Sequence, residues 1–182
     1  MARINPVDSG TATGKTKELL DQIHKKLGFV PNMMRTMAVS PAVIEGYLGL
    51  SGALAGGVLS PKLREQIALA VGEANGCQYC VSAHTAIGKR LGVAEAELAA
   101  ARDGFASDPR VEAALAFARA LVERRGNVTD ADVARVREAG WSDPEVAEIV
   151  AHVALNVFTN YFNITAGTEI DFPKIPLGTA GR

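Results

Sequence analysis

Glu65-Gln66-Ile67-Ala68-Leu69-Ala70-Val71-Gly72-Glu73-Ala74-Asn75-Gly76-Cys77-Gln78-Tyr79-Cys80-Val81-Ser82-Ala83-His84 is the stretch on which the fold turns. Up to Ala74, Leu63, Ile67, Ala70, Val71 and Ala74 recur at three and four positions and form one apolar face, with Lys62, Gln66 and Glu73 as a narrow polar stripe beside it. That is the period of a helix. Asn75-Gly76 ends it, because glycine accepts the left-handed conformation that closes a helix. A second helix follows, in which Cys77, Cys80, His84, Ile87 and Leu91 share a face and Ser82, Thr85 and Lys89 lie opposite. Folded back antiparallel about Gly76, residues 61–92 make a helical hairpin that holds the chemistry of the chain.

Cys77 and Cys80 are the only cysteines in 182 residues. They fall at the first turn of the second helix, where unpaired N–H groups and the helix dipole favour a thiolate. His84 lies one turn beyond Cys80 and two beyond Cys77. Glu65 projects from a surface of small residues, Ala68, Leu69 and Gly72, where an unpaired charge would be costly, so it needs a partner. Counting equally from the turn sets Glu65 within about one turn of His84 at ~1.5 Å rise per residue. A relay of Glu65, His84 and Cys80 follows, in which the carboxylate orients the imidazole and the imidazole takes the thiol proton directly or through a water. A zinc site built on Cys77, Cys80 and His84 is the competing reading, although no fourth ligand is near in sequence and His24 and His152 are the only other histidines. Haem attachment is excluded because Val81, not histidine, follows Cys80. No strand pattern surrounds the motif, which argues against a thioredoxin-like fold.

Outward from the hairpin the punctuation stays helical. Ser40-Pro41, Ser60-Pro61, Asp108-Pro109 and Asp143-Pro144 each place a good N-cap before a proline at the first helical position. Glycines at 28, 56 to 57, 76, 92, 104, 126 and 140 fall where helices should stop. The expectation is a single all-α domain, a helical bundle spanning residues 1–182. Residues 1–14 and 172–182 are expected to be arms that order only against something else. The last long helix, Pro144 to Ala166, carries His152, Asn156, Asn160 and Asn163 along one side of an otherwise apolar surface. Such a seam either hydrogen-bonds to loops, helix ends or a neighbouring subunit, or it lines the approach to Cys80 with His152 as a second proton carrier or ligand.

A net charge of -1 shows no nucleic-acid footprint. The N-terminus lacks the basic and apolar regions of a signal peptide, and no apolar run is long enough to cross a bilayer. A cytoplasmic protein is expected, and in a reducing compartment two cysteines are more naturally catalytic or metal-binding than a structural staple.

The run Glu65 to Gly92, with its Glu, Cys-x-x-Cys and His at these intervals, resembles the alkyl hydroperoxidase D-like group of the carboxymuconolactone decarboxylase superfamily. Gly28-Phe29-Val30-Pro31-Asn32 and Asn160-Tyr161-Phe162-Asn163 are similar to segments of its peroxidase-related members. The resemblance implies a thiol-dependent peroxidase of hydrogen peroxide or organic hydroperoxides, with no cofactor and no metal. In it Cys80 would become a sulfenic acid and Cys77 would resolve it to a disulfide, with His84 and Glu65 as the activating pair. It also implies re-reduction by a thiol or lipoyl-type donor protein, and a homo-oligomer, trimer or hexamer. The best-studied members carry histidine where this chain has Tyr79. The superfamily's founding decarboxylases lack the two cysteines, which ranks a decarboxylase below a peroxidase. A zinc-binding or redox-sensing interaction protein is the non-enzymatic alternative.

Overall fold

In a computed structural model that describes residues 2–178, proline and its preceding cap start helices where the sequence places them. Nine α-helices are found among the described residues: α1 Gly14–Leu27, α2 Asn32–Met37, α3 Pro41–Ala55, α4 Pro61–Ala74, α5 Gln78–Arg90, α6 Glu95–Arg102, α7 Pro109–Glu123, α8 Asp130–Glu138 and α9 Asp143–Ala166. No strand occurs among those residues, and the all-α expectation holds. Ser60 Oγ accepts the Leu63 N–H at 3.2 Å and an Asp108 carboxylate oxygen accepts the Arg110 N–H at 2.8 Å. Caps of this kind stabilise a helix by about 1 kcal/mol each. The fourth start lies one residue early. Ser142 caps α9, with Glu145 reaching back to accept its N–H at 2.8 Å and its hydroxyl at 2.7 Å, so Asp143 is already helical.

α4 is the axis of the bundle. It packs on α5, α6, α7 and α9, and Ile67, Leu69, Ala70 and Val71 are wholly buried. Gly76, at φ +68°, turns the chain back so that α5 runs antiparallel along it. The polar stripe of α4 is covered in part, with Lys62 left exposed. Gln66 is buried, and Glu73 is ion-paired with Arg102 at 2.7 Å, the two side chains 7% and 17% exposed.

Burial divides the apolar side chains into two clusters. The larger joins α4, α6, α7, α8 and α9, with Val81 of α5. The smaller gathers Leu19, Leu20, Ile23, Met33, Met37 and Ile44 of α1, α2 and α3 around Cys77, Tyr79, Cys80 and Ala83 of α5. The dithiol therefore sits where the N-terminal helices close over the hairpin.

Both arms lie against the body of the bundle. Residues 2–13 lie on the body, where the Arg3 and Ile4 N–H groups donate to Ala166 O at 2.7 and 3.2 Å and the Val7 N–H donates to Arg35 O at 3.0 Å. At the other end, residues 172–178 form a strap. Gln78 Nε2 donates to Ile175 O at 3.1 Å, the Ile175 N–H to Ser82 Oγ at 3.0 Å, Arg102 to Pro176 O at 2.7 Å and the Gly178 N–H to Glu73 at 2.7 Å. Extended backbone has no partners of its own, and these side chains supply them. The remainder of the expected C-terminal arm, residues 179–182, lies outside the described residues.

Candidate active site

Cys77 stands at the N-cap of α5, and its Sγ accepts the Cys80 N–H at 3.3 Å. The two cysteines are joined as a disulfide with Cα atoms 5.3 Å apart. Both are buried, at 1% and 2% exposure. Asn163 Nδ2, from α9, donates to Cys80 Sγ at 3.4 Å. Among the described residues no group of three or more His, Cys, Asp or Glu side chains could hold a metal ion.

Glu65 and His84 meet as the counting from Gly76 predicts. Glu65 Oε2 and His84 Nδ1 are 2.7 Å apart, with side chains 17% and 24% exposed. A carboxylate accepts, so Nδ1 carries the hydrogen, and in the neutral ring the lone pair falls on Nε2, the tautomer a proton acceptor needs. No hydrogen bond joins His84 to Cys80 among the described residues; both instead border one cavity of about 410 Å³. A proton passing between them crosses that space through a water or the substrate itself.

The far side of the cavity comes from α9, and there the polar seam divides. His152, Asn156, Thr159 and Asn163 line the cavity, so for His152, Asn156 and Asn163 the approach to Cys80 is the correct reading. Asn160 is wholly buried and accepts from Asn75 Nδ2 at 2.9 Å, which ties α9 to the C-cap of α4, as the structural reading expects. Asn156 Nδ2 donates to His152 O at 2.8 Å. His152 Nε2 is buried with no hydrogen-bond partner among the described residues. Burial lowers its pKa below 6.5 and Arg64 lowers it further, against the opposing pull of Glu148 and Glu65. The imidazole is therefore neutral at neutral pH.

Tyr79, the departure from the histidine of the best-studied members, is an anchor. Its hydroxyl accepts the Met33 N–H at 3.2 Å, and its ring meets Phe172 edge-on at 5.8 Å. Burial pushes the phenol well above its ordinary range, the Met33 N–H pulling against it and Asp171 adding to it. The group holds α2 and the start of the strap against α5 and is closed to proton transfer. The apolar wall contributed by Ile23, Leu27, Phe29, Met33, Met34 and Leu48 was not legible as a site, because these residues read as ordinary core.

Comparison with known proteins bears on the fold and on the stretch that holds these residues. Residues 41–123, which include Glu65, Cys77, Cys80 and His84, match the carboxymuconolactone decarboxylase family. A peroxidase-related protein from Ralstonia eutropha JMP134 with an alkylhydroperoxidase AhpD core is 27% identical, at a TM-score of 0.84 over 93% of this chain and 92% of that one. The debrominase Bmp8 is 25% identical at a TM-score of 0.79, over 93% of this chain and 92% of its own. A peroxidase-related protein from Silicibacter sp. TM1040, 22% identical with a TM-score of 0.79 over 92% of each chain, shares the fold. No curated protein matches the sequence. Fold and site thus define an all-helical protein of the AhpD core type with a Cys-x-x-Cys pair. Residues 41–123 of the chain thus carry the pattern of the carboxymuconolactone decarboxylase family within a fold similar to the AhpD core.

Proposed function

We propose that the protein is a dithiol peroxidase that reduces organic hydroperoxides, and hydrogen peroxide less well. The observation that carries this reading is Cys80 Sγ at the wall of a cavity that also holds the Glu65–His84 pair, with Cys77 placed behind it to close a disulfide. In the first step the Cys80 thiolate attacks the terminal peroxide oxygen. The O–O bond breaks, the sulfur becomes sulfenic acid, and the departing alkoxide takes a proton from the His84 imidazolium. The Cys77 thiol then attacks Cys80 Sγ, the S–O bond breaks, and the hydroxyl leaves as water with the Cys77 proton as the disulfide forms. A cavity of about 410 Å³ far exceeds what hydrogen peroxide fills and lies in the range of small-molecule sites.

Re-reduction by a thiol or lipoyl-type donor and a cytoplasmic setting complete the cycle. Assembly as a homo-oligomer, trimer or hexamer, is supported by exposed Leu50 of α3 and by Val150, Phe158, Tyr161 and Ile164 of α9. Among the described residues no helix is long and apolar enough to cross a membrane.

The aromatic groups around the cavity, Phe29, Tyr47, Tyr79 and Phe172, favour a second reading, supported also by the likeness to a debrominase. In it a dithiol removes bromine from an electron-rich ring: the carbon–bromine bond breaks, a proton takes its place, bromide leaves and the two thiols become the disulfide. A carboxymuconolactone decarboxylase ranks below both, because it would leave the dithiol without a task.

One experiment separates these readings. The reduced protein should lose two hydrogens per chain with one equivalent of cumene hydroperoxide, and Cys77→Ser should accumulate a sulfenic acid on Cys80, read by mass spectrometry with a sulfenate probe. Both thiols staying alkylatable would overturn the peroxidase reading, and bromide release from a bromopyrrole by the same dithiol would promote the second.

A further inference from the structure

The cavity beside Cys80 carries a charge imbalance that the thiol cycle does not use. Lys26, Arg64 and Arg90 line it, whereas Glu65 is the one carboxylate among its lining residues and is already bound to His84. None of the three cations forms an ion pair among the described residues. Arg64 donates to the Leu54 and Ala55 carbonyls at 3.1 and 2.7 Å, at the end of α3. Helix dipoles favour basic residues in the last turns of α1 and α5, but His24, Lys25 and Lys89 also stand there and do not line the cavity. The dipole alone therefore does not explain why each helix also sends a cation to this space.

The arginines lie away from the sulfur. Cys80 is in the first turn of α5 and Arg90 is its last residue, which sets them about 15 Å apart along the axis at ~1.5 Å per residue. Equal counting across Gly76 places Arg64 of α4 opposite Gly88, at the same end of the hairpin. Much of the remaining lining is apolar, with Ile23, Met33, Met34 and Leu48, and with Leu27 44% exposed next to Lys26. Unbranched methionines adapt to a flexible chain. At the sulfur end, Asn163 Oδ1 is buried without a partner among the described residues, and an amide oxygen is a neutral acceptor for a peroxide O–H.

We propose that the cavity selects hydroperoxides of long-chain carboxylic acids, with the peroxide at Cys80, the alkyl chain on the apolar wall and the carboxylate at the Arg64 and Arg90 end, drawn in by Lys26. The inference rests on the thiol cycle above and names its substrate. Long side chains lean back along a helix, so a chain of on the order of ten carbons spans the interval. The two thiols supply two electrons and two protons, the O–O bond breaks, and the hydroxy acid and water leave as the disulfide forms. Burial of the chain gives affinity, and the cations decide which end enters last.

The test uses the disulfide form and an unreactive ligand, 12-hydroxyoctadecanoate, below its micelle concentration. In titration calorimetry it should bind roughly tenfold more tightly than its methyl ester, the scale of one or two partly exposed charge contacts, and the gap should narrow as salt rises. Lys26 and Arg90 are exposed, so both can be changed without touching the core. Lys26→Gln with Arg90→Gln should erase the gap, while retained binding of the ester shows that the cavity is intact. Lys26→Glu with Arg90→Glu should turn the preference toward octadecylamine. Equal affinity of acid and ester, or an acid preference that survives in the glutamine variant, would overturn the proposal and leave the peroxidase reading standing. Thiols inert toward every hydroperoxide would strike the cycle alone, because the titration contains no peroxide.

Discussion

The α4–α5 hairpin and the α9 wall face each other across one cavity and differ in how their polar groups are held. In the hairpin, Glu65 and His84 form a closed pair at 2.7 Å whose partners are nineteen residues apart along two helices joined by one turn. On α9, Asn163 reaches Cys80 from eighty-three residues away, His152 Nε2 has no partner among the described residues, and Asn160 is committed to Asn75. In the proposed cycle the first wall would move a proton and the second would position a sulfur. The difference teaches that polarity along a helix face does not by itself assign function, since neighbouring residues of a single seam serve the site and the fold separately.

The largest expected effect tests the hairpin. Glu65→Gln and His84→Gln should each slow peroxide oxidation of Cys80 by roughly 10²-fold at neutral pH, the scale of general acid–base catalysis. The double variant should be little slower than His84→Gln alone, because an orienting carboxylate has nothing to orient once the imidazole is gone. Additive losses, measured by stopped-flow or quenched alkylation, would show two independent groups and dissolve the relay.

Next in size is Asn163→Ala. Loss of the amide donor to Cys80 Sγ should slow sulfur oxidation by roughly fivefold to tenfold, the kinetic equivalent of one hydrogen bond of about 1 kcal/mol. An unchanged rate would confine Asn163 to packing and leave the hairpin as the only catalytic wall.

Asn160→Ala should do the reverse. Its partner Asn75 is left unsatisfied at the end of α4, at a cost of about 1–3 kcal/mol in stability. The melting temperature should fall, while the oxidation rate per folded molecule stays unchanged. A slowed reaction with an unchanged melting temperature would mean that the seam acts as one unit.

The smallest effect is a pH dependence. His152 is held neutral in the folded state, with its pKa depressed below 6.5 by burial first and by Arg64 second. The unfolded chain therefore binds the proton first as pH falls, so stability declines from about pH 6.5 downward and levels off below the folded pKa. His152→Gln should flatten that decline in denaturant titrations from pH 7.5 to 5.0. An identical decline in the variant would place the acid sensitivity elsewhere.

Much of this was legible in the sequence because the deciding contacts are local. Period and capping place α3, α4 and α7 at Pro41, Pro61 and Pro109, and counting across Gly76 brings Glu65 within about one turn of His84. Where the arms bind was not legible, because extended segments carry no period. Their order comes from Arg35, Gln78, Ser82, Arg102 and Glu73, which lie far away in the chain. Tyr79 looked like an altered catalytic position, and its bond to the Met33 N–H shows it to be an anchor.

By itself the sequence determined the helices, the turn at Gly76 and the grouping of Cys77, Cys80, His84 and Glu65, because each depends on the 3.6-residue period and on caps that act within a few residues. Only the tertiary structure decided which sulfur meets the cavity, which members of the α9 seam line it and where the C-terminal strap closes. Those outcomes depend on how α1, α2, α3 and α9 pack over the hairpin, and packing is set by the shapes of surfaces that are distant in the chain and apolar in the same way.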